Sequence, residues 1–225
     1  MLAFRGARVV GTGRSFSGLA LALEATLVRD LTAPGAAEEI VSWAVAALAG
    51  LDVVISNAGA GWSGRYETMT ATDIDDQVNL NLRAPMHLAR AAAPHLQAGG
   101  GQLVLVGSIA GLVGVPEEVA YGATKAGLRG LADGLRAEWH PRVAVTLVSP
   151  GPVASPFFTR RNRPYTRTWP KPSPVAPVAR AIVEAIERRR PDVPVPAWVG
   201  LVGRFNGGLP ELYRALARPG YHLGN

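Results

Sequence analysis

QLVLVGSIAGLVGVPEEVAYGATKAGLRGLADGLRAEWHPRVAVTLVSPG, residues Gln102–Gly151, decides the fold. It opens on an uninterrupted apolar run, Gln102–Val106, too short for a helix and bounded by glycine. It continues into Val119–Trp139, where apolar residues recur at helical spacing, and returns to a second apolar run, Val143–Val148. Two Val/Leu-rich runs joined by a long helix read as parallel strands with a crossover, because strands covered on both faces have no polar side to alternate with.

The same alternation extends outward. Ala7–Gly11 and Thr26–Arg29 read as short strands, Ala36–Leu48 as a helix, and Leu51–Ser56 as a buried strand ending at Asn57. Thr72–Leu96 reads as one long helix, with Pro85 and Pro94 as disturbances. Val178–Arg189 is an amphipathic helix and Val193–Val195 a last strand. The pattern specifies an α/β domain, a three-layer doubly wound parallel sheet, whose ligands bind beyond the carboxyl ends of the strands. All 225 residues are expected to form one domain. Pro152–Pro177, rich in proline, arginine and aromatics, reads as a long functional loop, and residues 197–225 as a tail mixing glycine with large apolar side chains.

Composition narrows the function. An apolar fraction of 48% with 18% charged residues excludes wholesale disorder. The chain has no cysteine, so disulfides, thiolate metal sites and cysteine nucleophiles are excluded. Net charge is +6, carried mostly by arginine, since Lys125 and Lys171 are the only lysines. No basic stripe interleaved with aromatics accompanies that charge, so no nucleic-acid partner is expected. No apolar run approaches the ~20 residues that span a bilayer and no signal peptide is evident, so the expected location is cytoplasmic. His87, His95, His140 and His222 lack metal-ligand spacing, and no metal is expected. Asp73, Asp75 and Asp76 read as the acidic first turn of a helix.

Tyr121 and Lys125 sit four apart near a helix start and face the same way. An ammonium beside a phenol favours the phenolate, so the lysine is expected to lower the tyrosine's pKa toward the working range and fit it for proton transfer. Ser108, just past the strand Gln102–Val106, can hold a substrate carbonyl against that tyrosine. Taken alone, Tyr-x-x-x-Lys equally suits a surface pair, and Ser108 a turn residue. Read together with Asn57-Ala58-Gly59, Asn81 and Pro150-Gly151, they form a set.

That set resembles the classical short-chain dehydrogenase/reductase family, a Rossmann-like fold. The carrying motifs are SNAG at Ser56–Gly59, NLRAP at Asn81–Pro85, GSIAG at Gly107–Gly111, YGATK at Tyr121–Lys125 and SPGPVASPF at Ser149–Phe157. The resemblance implies an NADP(H)-dependent oxidoreductase, with NAD possible, interconverting a carbonyl and a secondary alcohol. Tyr121 would be the general acid/base and Ser108 would orient the substrate. Lys125 would tune Tyr121 and hold the nicotinamide ribose, and Asn81 would hold a water in the proton relay. Asn57, Ala58 and Gly59 would line the adenosine side, Asp30 would contact adenine, and Pro150, Gly151, Val153 and Ser155 would pack on the nicotinamide. The loop 152–177 would be the substrate lid; its Phe157, Phe158, Tyr165 and Trp169 imply a largely apolar substrate. Trp198, Leu201, Val202 and Phe205 of the tail suit core packing or a dimer contact, with a lipophilic substrate entrance or a membrane-surface contact as the alternative. The family implies homodimers or homotetramers through the helices carrying Asn81 and Tyr121.

The N-terminal region departs from the pattern. As a glycine-rich phosphate loop, GTGRSFSGLA at Gly11–Ala20 has one residue too many between Gly13 and Gly18, and Ala20 stands where the last glycine is expected. RGARVVGTGRS, Arg5–Ser15, fits better as the family's second strand, which puts Arg14 against the 2′-phosphate of NADP. The first strand/helix unit is then shortened or missing, and the core would carry a gap unless Ala7–Gly11 moves into the central position or the natural chain starts earlier. The other expectation is an internal deletion, with Thr12–Ala25 as a minimal crossover. A second function reading follows from the same departure: an inactive or cofactor-sensing scaffold without a working phosphate loop.

Overall fold

The computed structural model describes residues 1–16 and 22–217. Gly18 and Ala20 of the candidate phosphate loop, and His222, lie outside the described residues. Among the described residues six strands run parallel in two sheets. β1 (Val10–Gly13) pairs with β2 (Ala25–Val28), while β3 (Val53–Ser56), β4 (Gln102–Val106), β5 (Ala144–Pro150) and β6 (Asp192–Val195) form the main sheet in that spatial order.

Alternation along the strands sends neighbouring side chains to opposite layers. On one face Val54, Leu103, Leu105, Val145 and Leu147 pack on α1 (Ala36–Leu48), α3 (Ala84–Gly99) and α4 (Val119–Trp139) through Ile40, Leu88, Ala92, Leu128 and Ala132. On the other face Val104, Val148 and Val193 meet Ala181, Ile182, Ala185 and Ile186 of α6 (Val175–Glu187). These are the three layers of a doubly wound, Rossmann-like fold. Leu27 of β2 packs on the same core as Leu103, so the small sheet lies beneath the same helices as the large one.

The sheet is divided at its N-terminal strands. A strand moved into the central position would bond both β2 and β3, and so would the first strand of a chain with an internal deletion. β1 bonds β2 alone, with Val10 opposite Ala25 and Gly13 opposite Val28. It therefore occupies the place of an outer, second strand, and the expected central position goes unused by it.

The long helix expected over Thr72–Leu96 is present, with helical backbone running unbroken from Ala71 to Gly99 and its turns widening to π geometry at Asn79–Arg83. α2 (Ala71–Val78) starts on a capping box in which the Thr70 hydroxyl accepts from the Asp73 amide and the Asp73 carboxylate accepts from the Thr70 amide. A wide π turn, Asn79–Arg83, follows within the same helix, and Pro85 sits just beyond it, where the widened turn makes room for a residue without an N–H. Pro85 and Pro94 are thus both carried inside the long helix as local disturbances. The loop after β5 contains α5 (Phe157–Arg160), and the tail folds into α7 (Ala197–Gly208) and α8 (Pro210–Ala217). No helix among the described residues is long and apolar enough to cross a membrane.

A two-stranded sheet is marginal alone, and every β1 residue is only half-buried, whereas Gln102–Leu105 of β4 are buried. Amides of β1 and β2 are therefore expected to exchange with solvent at least tenfold faster than those of β4 and β5, measured by native-state hydrogen exchange. Equal protection would show that the two sheets unfold as one unit.

Candidate active site

The carboxyl ends of β4 and β5 and the first turns of α4 bring Ser108, Tyr121 and Lys125 together. Chain geometry does most of this. Gly107 donates to the Val148 carbonyl at 2.7 Å, which extends the strand pairing by one residue and releases the chain at Ser108. The following turn, Ile109–Gly111, lies against α4 so closely that a Cβ on Gly111 would come within 2.6 Å of the Lys125 backbone. The Ser108 hydroxyl accepts from the Ala110 amide at 3.1 Å, which fixes its rotamer.

Lys125 is 5% exposed. Its ammonium donates to the Val106 carbonyl at the end of β4, 2.9 Å away, and lies 5.7 Å from the centre of the Tyr121 ring. Burial lowers its pKa to about 8. Tyr121 departs from expectation. Its pKa is pushed up to about 12, first by burial, while Ser108 and Arg161 act in the opposite direction and Glu118 adds to the rise. In the free protein, then, the tyrosine is a firmly protonated phenol, and desolvation outweighs any gain from the lysine.

Asn81 is fully buried in the π turn. Its carboxamide clamps residue 60, accepting from the Ala60 amide at 2.8 Å and donating to the Ala60 carbonyl at 2.8 Å, with a further bond to the Thr124 hydroxyl at 3.3 Å. Thr124 in turn donates to the Tyr121 carbonyl at 2.7 Å. The wider turn is what lets an asparagine from this helix reach the loop after β3. Thr124 and residue 60 were not singled out by sequence reasoning; the buried threonine inside YGATK was the available signal.

Asn57, Ala58 and Gly59 are exposed beyond the end of β3. A Cβ on Gly59 would lie 3.2 Å from Asn81 Oδ1 and 3.6 Å from Lys125 Nζ, so this glycine keeps the floor between them open. Pro150 and Gly151 are buried, and Gly151 donates to the Val195 carbonyl at 2.8 Å. Val153 bridges to Ser173, and the Ser155 hydroxyl accepts from the Phe157 amide at 3.4 Å. Arg14 and Asp30 are both exposed, just past β1 and β2. The amide and hydroxyl bonds from Thr32 hold the Asp30 carboxyl below its usual value, with Arg14 and Arg29 adding to the effect. The structure thus gathers Asn81, Ser108, Tyr121 and Lys125 in one cluster and sets Arg14 and Asp30 on the separate β1–β2 edge.

Residues 1–166 match the family model described as short chain dehydrogenase. The chain belongs to that family. Among curated short-chain dehydrogenase relatives, 11-beta-hydroxysteroid dehydrogenase-like 4A of Arabidopsis thaliana is 32% identical over 72% of this chain and 56% of its own length. The 3-ketodihydrosphingosine reductase of Bacteroides thetaiotaomicron is 31% identical over 72% of this chain and 61% of its own. The matched region therefore spans less than two thirds of these relatives. Among solved structures, a short-chain dehydrogenase from Sphingobium yanoikuyae in complex with NADPH superposes with a TM-score of 0.77 at 28% identity, over 93% of this chain and 88% of its own.

The lysine supplies a test of the site's electrostatics. Its ammonium is favoured less in the fold, at about 8, than in the unfolded chain, near 10.5, so folding releases a proton between those values and stability rises with pH there. Relative to Lys125→Met, the wild-type protein should gain on the order of 2 kcal/mol of stability from pH 8 to pH 10, read by urea unfolding at each pH. Parallel profiles for the two proteins would mean that the ammonium is not desolvated.

Proposed function

We propose that this protein is an NADP(H)-dependent oxidoreductase interconverting a carbonyl and a secondary alcohol, with Tyr121 as the proton donor and acceptor. The observation that carries the reading is the convergence of Ser108, Tyr121 and a buried Lys125 at the strand ends, with Asn81 locked beneath them.

The residues suit a nicotinamide dinucleotide. An ammonium has three donors, and the Val106 carbonyl takes one, so Lys125 keeps capacity for a ribose hydroxyl pair. The open floor at Gly59 admits a sugar against Lys125 and Asn81. Asn57, Ala58 and Asp30 would border the adenosine, Arg14 would meet a 2′-phosphate, and Pro150, Gly151, Val153 and Ser155 would flank the nicotinamide. When bound, the cofactor supplies or accepts the hydride. The protein's part is to hold the carbonyl oxygen between the Ser108 and Tyr121 hydroxyls and to move a proton at Tyr121 Oη. A phenol whose pKa is pushed up by burial gives its proton readily only as negative charge grows on the substrate oxygen. A charged Lys125, favoured once anionic phosphates stand nearby, would then bring the phenol's pKa down. The apolar lid favours a largely apolar substrate. A homodimer or homotetramer built through α3 and α4, which expose Met86 and Val119, and a cytoplasmic location complete the reading.

One observation favours the scaffold alternative. The segment between β1 and β2 has one residue too many between Gly13 and Gly18 and Ala20 where a phosphate loop's last glycine is expected. Titration of the 225-residue chain with NADPH and NADH by fluorescence separates the readings. Micromolar NADPH binding, weaker NADH binding and an at least tenfold loss in Arg14→Ala are expected. Tyr121→Phe should bind NADPH normally yet lose at least 100-fold in ketone reduction. Absence of binding, or full activity in Tyr121→Phe, overturns the proposal.

A further inference from the structure

The loop after β5 is pinned at its base. Val153 bridges to Ser173, the Ala154 amide donates to the Ser173 carbonyl, and the Ser173 amide donates to the Pro152 carbonyl, both at 2.8 Å. What lies between folds over the catalytic cluster and is fastened on two sides. On the α4 side, the Arg161 side chain, 4% exposed, donates to Glu118 Oε1 at 2.8 Å, and Glu118 itself is only 12% exposed. The same guanidinium donates to the Arg163 carbonyl at 2.7 Å and sits 4.8 Å over the Phe158 ring. On the opposite side, the Asn162 carboxamide accepts from the Ser63 amide at 2.8 Å and donates to the Ser63 carbonyl at 2.7 Å.

Between these fastenings lies Phe157. Its ring centre is 5.4 Å from that of Tyr121, and on its other side it lies against Gly61, where any Cβ would overlap the ring. A substrate approaching the Tyr121 hydroxyl has to share that space with Phe157 or displace it.

A desolvated ion pair is not easily half-opened. Separating the charges while both stay buried leaves each uncompensated, so Arg161 and Glu118 are stable either paired under the lid or apart in water. Glu118 lies one turn before Tyr121 on the edge of α4, so that choice between two states is made beside the reacting hydroxyl.

We propose that Glu118, Arg161 and Asn162 form a clasp that holds Phe157 over Tyr121, making Phe157 the residue that sets how bulky a carbonyl compound the site admits. The clasp residues are positioning residues; Phe157 determines specificity. The specificity part rests on the oxidoreductase reading above, whereas the clasp does not.

Two measurements on the full chain separate the parts. The first is limited trypsin digestion, following by mass spectrometry the cutting of the lid bonds Arg160–Arg161, Arg161–Asn162 and Arg167–Thr168. Glu118→Gln and Asn162→Ala should be cut there at least tenfold faster than wild type, with cutting after Arg188 and Arg189 unchanged as a control against general unfolding. Equal lid cutting in all three proteins overturns the clasp, and so does parallel acceleration at the control bonds. The second is NADPH-dependent reduction of a slim aliphatic ketone and of a diaryl ketone. Phe157→Ala should raise the kcat/KM ratio of diaryl to slim ketone at least tenfold. An unchanged ratio overturns the specificity role. Absence of turnover in every protein overturns the oxidoreductase reading and that role with it, while the cutting rates still decide the clasp.

Discussion

The site is organised around one ammonium removed from water. Lys125 is buried with the Val106 carbonyl as its anchor, and that carbonyl is the last of β4. A buried charge with a single acceptor tolerates little movement, because each lost bond leaves it less solvated in a poorly polar setting. Its neighbours follow from that placement. The turn carrying Ser108 rests on the lysine's own backbone through Gly111. Asn81, held by residue 60 and Thr124, fixes the floor beside it. The strand, the helix and the π turn share the apolar core through Leu105, Leu128 and Leu82, and at the site they are tied further through this one cation.

The same cation explains why the free protein's tyrosine runs against expectation. The ammonium is buried and the phenol half-buried, and desolvation penalises a charge on either, so it raises one pKa to about 12 and lowers the other to about 8. Two groups shifted in this way favour the uncharged phenol, and the lysine's charge becomes useful only when an anion or developing negative charge shares the cavity. In the proposed reaction the protein would hold the site in reserve until the cofactor's phosphates and the substrate's oxygen are in place. The residue pattern identified the partners correctly as neighbours, but the sign of the shift depends on how much water reaches them, which spacing does not encode.

Much of the architecture was readable because it is local. β4 and α4 follow the apolar run Gln102–Val106 and the periodic stretch Val119–Trp139 residue for residue. Strands at the edge of the pattern were displaced by a few residues: β1 begins at Val10 rather than Ala7, since Arg8 turns instead to Glu24 at 2.9 Å and to the carbonyls at the end of α1. The π turn has no signature in the periodicity: the proline two residues after it reads as a disturbance within the helix, which it is, but does not reveal the widened register. The lid fastenings were beyond local reading altogether. Arg161 pairs with a residue 43 positions away and Asn162 with one 99 away, and an arginine in a basic run looks the same whether it is solvated or buried.

The divided sheet gives the molecule two strand-end edges. Asn57–Gly59, Ser108 and Tyr121 belong to the edge built on β3, β4 and β5, while Arg14 and Asp30 belong to the edge built on β1 and β2. No strand pairing joins them among the described residues, so their relative placement is set by the helix layer above, where α1 packs on α3 and Leu27 reaches the common core. Helix packing holds distances through apolar contacts that slide more easily than a hydrogen-bonded ladder. A dinucleotide lying across both edges, its ribose at Lys125 and its phosphate at Arg14, would supply the missing cross-link itself. Under that reading cofactor binding does two things in this chain. It fills the site, and it couples the β1–β2 edge to the catalytic one, so affinity carries the cost of fixing a geometry that an unbroken sheet would have fixed beforehand.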